Sequence, residues 1–264
     1  MSHARLGYAL AILLASSPGA FAGQYGAPPP DIKERLDALV AAYPGHLLSH
    51  DMKEITWRDG TRMPVSDGRT DKTFKELLNR PDIDDMFAFR YPAGAKLSAP
   101  GVNQDPGRIR NEAFFAKIYG DCRGSRLLSM AKVRWVAKHG GRAVRVTTVN
   151  GVDKALARVS ADLEKLPKKF ARFLKPSAGT YNCRVISGTK RLSVHAFAAA
   201  IDINVKTADY WRWSKPGKDG VHKWRNKVPM EIVRIFERHG FIWGGRWYHY
   251  DTMHFEYRPE LIAR

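Results

Sequence analysis

The sequence predicts an α+β fold, a small antiparallel sheet with flanking helices. Three observations predict it. Helix-spaced and strand-spaced stretches are mixed irregularly along the chain. No segment repeats, and no low-complexity tract interrupts the pattern. The 264 residues are 44% hydrophobic and 27% charged, an ordinary globular balance that supports a real core.

Taken in order, the first element is a targeting signal. Arg5 gives a positive start, Leu6 to Leu14 is apolar, Ser16 to Gly19 breaks the run, and Ala20-Phe21-Ala22 ends it with small residues. Residues 1–22 therefore read as a signal peptide cut after Ala22. The apolar run falls short of the roughly 20 residues a spanning helix needs, and no later stretch is longer. The expectation is an exported chain, periplasmic or extracellular, with no membrane span.

Residues 23–110 read as an N-terminal extension, helical and loop-rich. Residues 23–30 are rich in Gly and Pro. Asp31 starts a helix with Ile32, Leu36, Leu39 and Val40 on one face. Residues 44–110 read as loops with one short helix near Phe74 to Leu78. Residues 111–264 form the second unit. Asn111 to Tyr119 is helical. Lys132 to Val136 and Ala143 to Val149 are strands joined by a turn at His139-Gly140-Gly141. Asp153 to Leu166 is an amphipathic helix stopped by Pro167. Thr180 to Ile186 reads as a strand carrying Cys183. Ala199 to Val205 is another, with Ile201, Ile203 and Val205 opposite Asp202 and Asn204. Pro229 to His239 is a helix with Pro at its start and Gly240 beyond its end, its core face Met230, Val233 and Phe236 or Phe241. A strand near His254 to Tyr257 closes the chain.

Export gives the two cysteines meaning. Cys122 and Cys183 are an even number in an oxidising compartment, so a disulfide is expected. The net charge of +18 and a pI near 10.0 suit a protein that meets an anionic envelope surface. The compartment argues against nucleic acid, and Lys and Arg are scattered rather than gathered in an arm.

The chemistry lies near the C-terminus. Catalytic zinc takes three protein ligands and keeps one position open. The stretch Ser193-Val194-His195-Ala196-Phe197-Ala198-Ala199-Ala200-Ile201-Asp202 supplies His195 and Asp202 as metal ligands. Asp251-Thr252-Met253-His254-Phe255-Glu256 supplies His254. Asp251, three residues before it, is placed to act as general base. His249 is the rival ligand, two residues from Asp251. Two imidazoles and a carboxylate suit Zn2+, and would accept other first-row ions. Glu256 is either an acceptor for a ligand histidine or a surface strand residue.

These residues resemble the D-Ala-D-Ala carboxypeptidase/endopeptidase family of zinc enzymes, the M15 peptidases, whose pattern is S-x-H-x-x-G-x-A-x-D followed by D/E-x-x-H. Ser193, His195, Ala200 and Asp202 match the first part, and Asp251 and His254 the second. The Trp247…Asp251-x-x-His254-Phe255-Glu256 ending looks like the branch in which Asp replaces Glu as the base. The resemblance covers residues 179–259. It departs at Ala198, where the family has Gly, a residue suited to tight packing or positive φ. It implies a hedgehog/D-Ala-D-Ala-peptidase-like fold and hydrolysis of peptidoglycan stem peptides by carboxypeptidase or endopeptidase cleavage. It also implies an arginine that holds the substrate's carboxylate or carbonyl oxygen. Arg184 is the first candidate for that catalytic and substrate-binding role, and Arg191 the second. Ser193 is expected to orient a ligand or the substrate, and Trp247, with Trp243 and Tyr248, to wall the groove. A monomer is expected. The competing readings are an inactive metal-containing wall-binding module, which would not need Asp251, and a basic structural protein, which would not explain the ordered motif pair.

Overall fold

The computed structural model describes residues 24–124 and 128–262. The expected signal segment, residues 1–22, lies outside the described residues. The architecture is α+β, with short antiparallel sheets and helices around one buried apolar cluster that draws on residues from Leu36 to Leu261.

Helix α1 (Ile32–Ala42) buries Leu36 and Leu39, as its spacing predicts. Strands β1 (Leu47–His50), β2 (Glu54–Trp57) and β3 (Arg62–Pro64) follow and pair in the order β1-β2-β3. This sheet corrects the reading of residues 44–110 as loops with one short helix. That helix is α2 (Phe74–Asn79), started by a capping box in which Thr73 and Glu76 satisfy each other's backbone amides. Helix α3 (Glu112–Tyr119) begins at Asn111, whose side chain accepts from the Phe114 amide.

Strands β4 (Met130–Val133) and β5 (Val144–Thr147) pair antiparallel. The first stops short of the predicted Val136, because Trp135 turns inward to bond the Leu174 carbonyl and Val136 takes a left-handed φ of 39°. Helix α4 (Val152–Leu163) packs Leu156, Val159 and Leu163 into the core, and the short α5 (Ala171–Leu174) follows it. The predicted strand from Thr180 to Ile186 is not one. That segment makes isolated bridges at its ends, Gly179 with Asp202 and Val185 with Leu192.

The last sheet positions the chemistry. Strand β6 (Ala200–Asp202), helix α6 (Met230–Arg238), β7 (Phe241–Trp243) and β8 (His254–Tyr257) come in chain order, and the sheet order is β6-β8-β7. The register sets Asp202 opposite His254 and Ala200 opposite Glu256. Strand β6 is shorter than predicted, because Asn204 accepts from the Lys206 amide and starts a 3-10 turn. Val205 is therefore 38% exposed rather than part of the core. Helix α6 buries Ile232, Val233, Ile235 and Phe236, and Phe236 stacks on Phe255 of β8 at 3.8 Å between ring centres. Met230 lies at the edge of this face, half-buried.

Cys122, just past α3, is bonded to Cys183, 61 residues on. The bridge ties down the irregular segment before Ser193, which has no sheet of its own to hold it. In the chain-entropy picture a loop of this length contributes about 4 kcal/mol, with strain reducing it. Replacing both cysteines by serine is expected to lower unfolding stability by about 2–4 kcal/mol. Urea unfolding in non-reducing buffer measures this, and an unchanged midpoint would show that the segment is held by its packing alone.

Candidate metal centre

His195 sits on a 3-10 turn, Val194–Phe197, that Ser193 caps by accepting from the His195 amide. Ala198 ends the turn at φ 54° and ψ 27°, the left-handed region, and sends the chain into β6. Two residues of strand then bring Asp202 to the same face as His195. Strand β8 runs back beside β6 and starts with His254 directly across from Asp202. Residues cross-strand from each other present their side chains on one face, so the register itself assembles the group.

The donor atoms converge. His195 Nε2 lies 3.2 Å from His254 Nδ1 and 3.2 Å from Asp202 Oδ2, and His254 Nδ1 lies 2.9 Å from Asp202 Oδ1. All three ligand atoms fall within 4.8 Å of one another. The far nitrogen of each ring has its own acceptor. His195 Nδ1 reaches the Thr180 carbonyl at 3.0 Å, and His254 Nε2 reaches Glu256 at 3.0 Å. With a cation at the centre, each ring would donate outward and turn a lone pair inward. Two lone pairs and a carboxylate meeting at one point fit a divalent cation of the zinc type.

The electrostatics call for positive charge at the same point. Burial would push the Asp202 carboxyl up, but His195 and His254 outweigh it and hold Asp202 well below the ordinary carboxylate range. Burial opposes charge on His254, yet its bonds to Asp202 and Glu256 raise it to about 10. Glu256 is fully buried; burial raises it, while Arg110 and then His254 bring it down to about 2. Arg110 donates to both Glu256 oxygens, and Arg258 donates to Oε1.

Asp251 stands beside this group. Its amide donates to the Gly244 carbonyl, and its carbonyl accepts from the His254 amide at 3.1 Å. A Cβ at Gly244 would lie 2.6 Å from the Asp251 carbonyl oxygen, so only glycine permits this approach. Asp251 Oδ1 is buried with no hydrogen-bond partner. Burial, and after it the negative charge of Asp202, push the Asp251 carboxyl up to about 7. The result is a carboxylate of raised basicity next to a cation site.

A cavity of about 350 Å³ opens over these residues. Arg184 reaches it as an exposed side chain. Ser193 lines it, and so does Trp247, whose ring centre is 5.6 Å from that of His254 and whose indole nitrogen donates to the Pro106 carbonyl. Trp243 and Tyr248 do not line it. Trp243 is wholly buried, bonded to the Thr252 carbonyl, and the Tyr248 hydroxyl accepts from the His222 amide. Their places on the wall are taken by Tyr210, Trp211 and Trp213. His249 lines the cavity, but its Nδ1 is engaged by Asp105 at 2.7 Å, away from the three donors. Sequence reading also missed Arg108 and Arg110, which line the same space. The alternation Arg108-Ile109-Arg110, with Ile109 buried, was the available signal.

A family model described as D-alanyl-D-alanine carboxypeptidase matches residues 187–257. That span holds the three donors, Asp251, Ser193, Trp247 and the whole β6-β8-β7 sheet. No curated protein and no solved structure matches the chain.

Two substitutions test how this geometry is held. Ala198→Gly is expected to change stability by no more than about 1 kcal/mol, since relief of a left-handed alanine is offset by lost methyl burial and a freer unfolded chain. Ala198→Val forces a branched side chain into a fully buried left-handed site, and should cost about 3 kcal/mol. Equal effects in denaturant unfolding would contradict the left-handed turn. Glu256→Gln should weaken divalent-metal affinity about 10-fold or more, because a neutral acceptor orients His254 less firmly. Competition against a chelating dye reads this, and an unchanged affinity would disconnect Glu256 from the centre.

Proposed function

We propose, from the premise that residues 187–257 are the peptidase segment of an M15-type enzyme, that this protein is an exported zinc peptidase that hydrolyses a bond in peptidoglycan stem peptides. The single observation that supports this best is the convergence of His195, Asp202 and His254 beside a carboxylate with an unpartnered buried oxygen.

Zinc bound there would polarise the scissile carbonyl and acidify a water molecule. The chain's own residues do the rest. Thr180 and Glu256 keep both imidazoles in the tautomer that offers a lone pair. Asp251 accepts the water's proton at Oδ1 and returns it to the leaving amine. Its raised basicity suits both halves of that transfer. Arg184 at the rim and Arg108 on the wall offer guanidinium groups to a substrate carboxylate or to the developing oxyanion. Ser193 holds the turn that carries His195, and Trp247 with Trp211 shields the cavity from bulk water. The Cys122–Cys183 disulfide and the net charge of +18 fit a chain working outside the cytoplasm against an anionic wall.

The test is product analysis. Zinc-loaded protein incubated with muropeptides should release D-alanine or shortened stem peptides detectable by mass spectrometry. Absence of cleavage across several stem peptides would sink the reading. His195→Ala should lose the metal. Asp251→Ala should keep it and lose turnover by about 10²- to 10⁴-fold. A base must be unprotonated, so the rate should climb as pH rises through the Asp251 carboxyl. A bound cation favours the ionised form, so the midpoint should lie at or below about 7. An Asp251→Ala variant with the same acidic limb would show that another group is the base.

A further inference from the structure

Tyr210 lines the metal-site cavity together with His195, Asp202, Asp251 and His254. It is half-buried, and its ring packs edge-on to Trp213 at 5.8 Å and to Trp211 at 6.3 Å. The backbone fixes its place. Tyr210 and Asp251 form an antiparallel bridge. The Trp211 amide donates to the Tyr250 carbonyl, and the Thr252 amide donates to the Asp209 carbonyl, both at 2.9 Å. These bonds flank the pair rather than join it, the arrangement that brings opposed side chains closest together on one face. The Thr252 hydroxyl also accepts from the Asp209 amide at 2.7 Å. The Tyr210 phenol is therefore held beside the Asp251 carboxyl, over the same cavity.

Amide hydrolysis puts negative charge on the carbonyl oxygen, and a fixed donor aimed at that oxygen lowers the barrier. Several donors around the cavity are spent elsewhere. Arg110 is given to Glu256, the Trp247 indole to the Pro106 carbonyl, and the Asp251 amide to the Gly244 carbonyl. Arg108 is drawn to Asp105 at 2.6 Å, and Arg184 stands exposed at the rim. Tyr210 differs. Its oxygen is hydrogen-bonded by Trp211, whose indole can only donate, so the phenol's own proton is uncommitted. Burial, and after it the charge of Asp251, raise the phenol above its ordinary range against the opposing pull of Arg212, Arg108 and Trp211. The group stays a neutral donor through the range where Asp251 changes charge.

We propose that Tyr210 is a further catalytic residue of this cavity, whose hydroxyl donates a hydrogen bond to the carbonyl oxygen of the scissile bond and strengthens it as that oxygen becomes negative. The inference rests on the peptidase reading above and deepens it by assigning the oxyanion a donor. The water oxygen bonds to the carbonyl carbon, and the carbonyl π pair moves to oxygen. Asp251 takes the water's proton. When the pair returns, the C–N bond breaks and the proton on Asp251 passes to the leaving nitrogen. Tyr210 keeps its own proton throughout.

The experiment compares zinc-loaded wild type with Tyr210→Phe, which keeps the ring against Trp211 and Trp213 and removes only the hydroxyl. Cleavage of stem peptides, followed by mass spectrometry, gives kcat and KM. Calorimetry follows stem-peptide analogues in which a phosphinate replaces one peptide bond at a time. Such a tetrahedral anion resembles the transition state and binds without turnover. Thermal melting and metal content check folding and loading. Tyr210→Phe is expected to lower kcat about 10²-fold with KM changed less than about two-fold, and to weaken the tightest phosphinate by about the same factor as kcat. The midpoint of the acidic limb should stay at its wild-type position. A variant with wild-type kcat and phosphinate affinity overturns the donor and leaves hydrolysis standing. A lowered kcat with unchanged phosphinate affinity and a displaced acidic limb shows that Tyr210 acts through Asp251, and also overturns it. A wild type that cuts no stem peptide, yet binds a phosphinate in a hydroxyl-dependent way, keeps the donor and sinks hydrolysis. A wild type that neither cuts nor binds overturns both.

Discussion

Two imidazole nitrogens face each other across 3.2 Å, and the other nitrogen of each ring is engaged by an oxygen outside the centre. Nitrogens that close need positive charge between them, a proton or a cation, to offset the repulsion of their lone pairs. Much of the surrounding structure serves to hold them there. His254 is fixed by Glu256, and Glu256 by Arg110 and Arg258. Arg258 in turn donates to the Gly107 carbonyl and to Glu260, and Glu260 accepts from Tyr43 at the end of α1. The run from helix α1 to the centre is thus a continuous buried polar network. Such networks add little stability relative to an apolar core, yet removing one member strands a buried charge at a cost of about 3–5 kcal/mol. They fix geometry more than they strengthen the fold.

The same logic separates two aspartates that lie close together. Asp202 sits between two imidazoles, which outweigh its burial and keep it ionised. Asp251 has no such partner. Burial and the charge of Asp202 raise it into the range where a carboxyl both takes and gives up a proton near neutrality. Environments that push two carboxyl groups apart in basicity assign them different work. Here one turn of chain, residues 251–254, sets the raised carboxyl of Asp251 beside His254.

Much of this was legible in the sequence. Helix α6 follows its period, because it buries one face, and strand β8 keeps its alternation although both of its faces are buried, Phe255 against the core and His254 and Glu256 on the opposite side. The convergence of His195, Asp202 and His254 was legible because they stand at spacings that neighbouring strands convert directly into proximity. Ala198 was legible as an exception, and its left-handed φ shows why glycine is usual there. What failed did so for physical reasons. Strands β1 to β3 are three or four residues long and mostly polar on their outer face, too short for a period to declare itself. Thr180 to Ile186 has strand-like composition, but its backbone is spent otherwise: the Thr180 carbonyl accepts from His195, and the Asn182 amide donates to the His195 carbonyl. No side-chain pattern records that a carbonyl will orient an imidazole. Trp243 and Trp211 are alike in sequence, and only the turn of β7 into the core separates the buried ring from the one on the cavity wall.

The centre is also larger than the segment that resembles other peptidases. Residues 187–257 include His195, Asp202, Asp251 and His254, yet Thr180, Arg110, Arg258 and Tyr43 lie outside that span. Without Arg110 and Arg258, Glu256 would be a fully buried carboxylate with an imidazole as its remaining partner. A charge so placed takes up a proton or draws in water, and either outcome loosens the grip on His254. Arg110 reaches it because residues 104–110 are pinned against the last sheet. Tyr248 donates its amide to the Gln104 carbonyl, Trp247 donates to the Pro106 carbonyl, and Arg258 donates to the Gly107 carbonyl. The stretch just before α3 is therefore a structural part of the centre, and chain on both sides of the matched segment contributes the charge balance around His195 and His254.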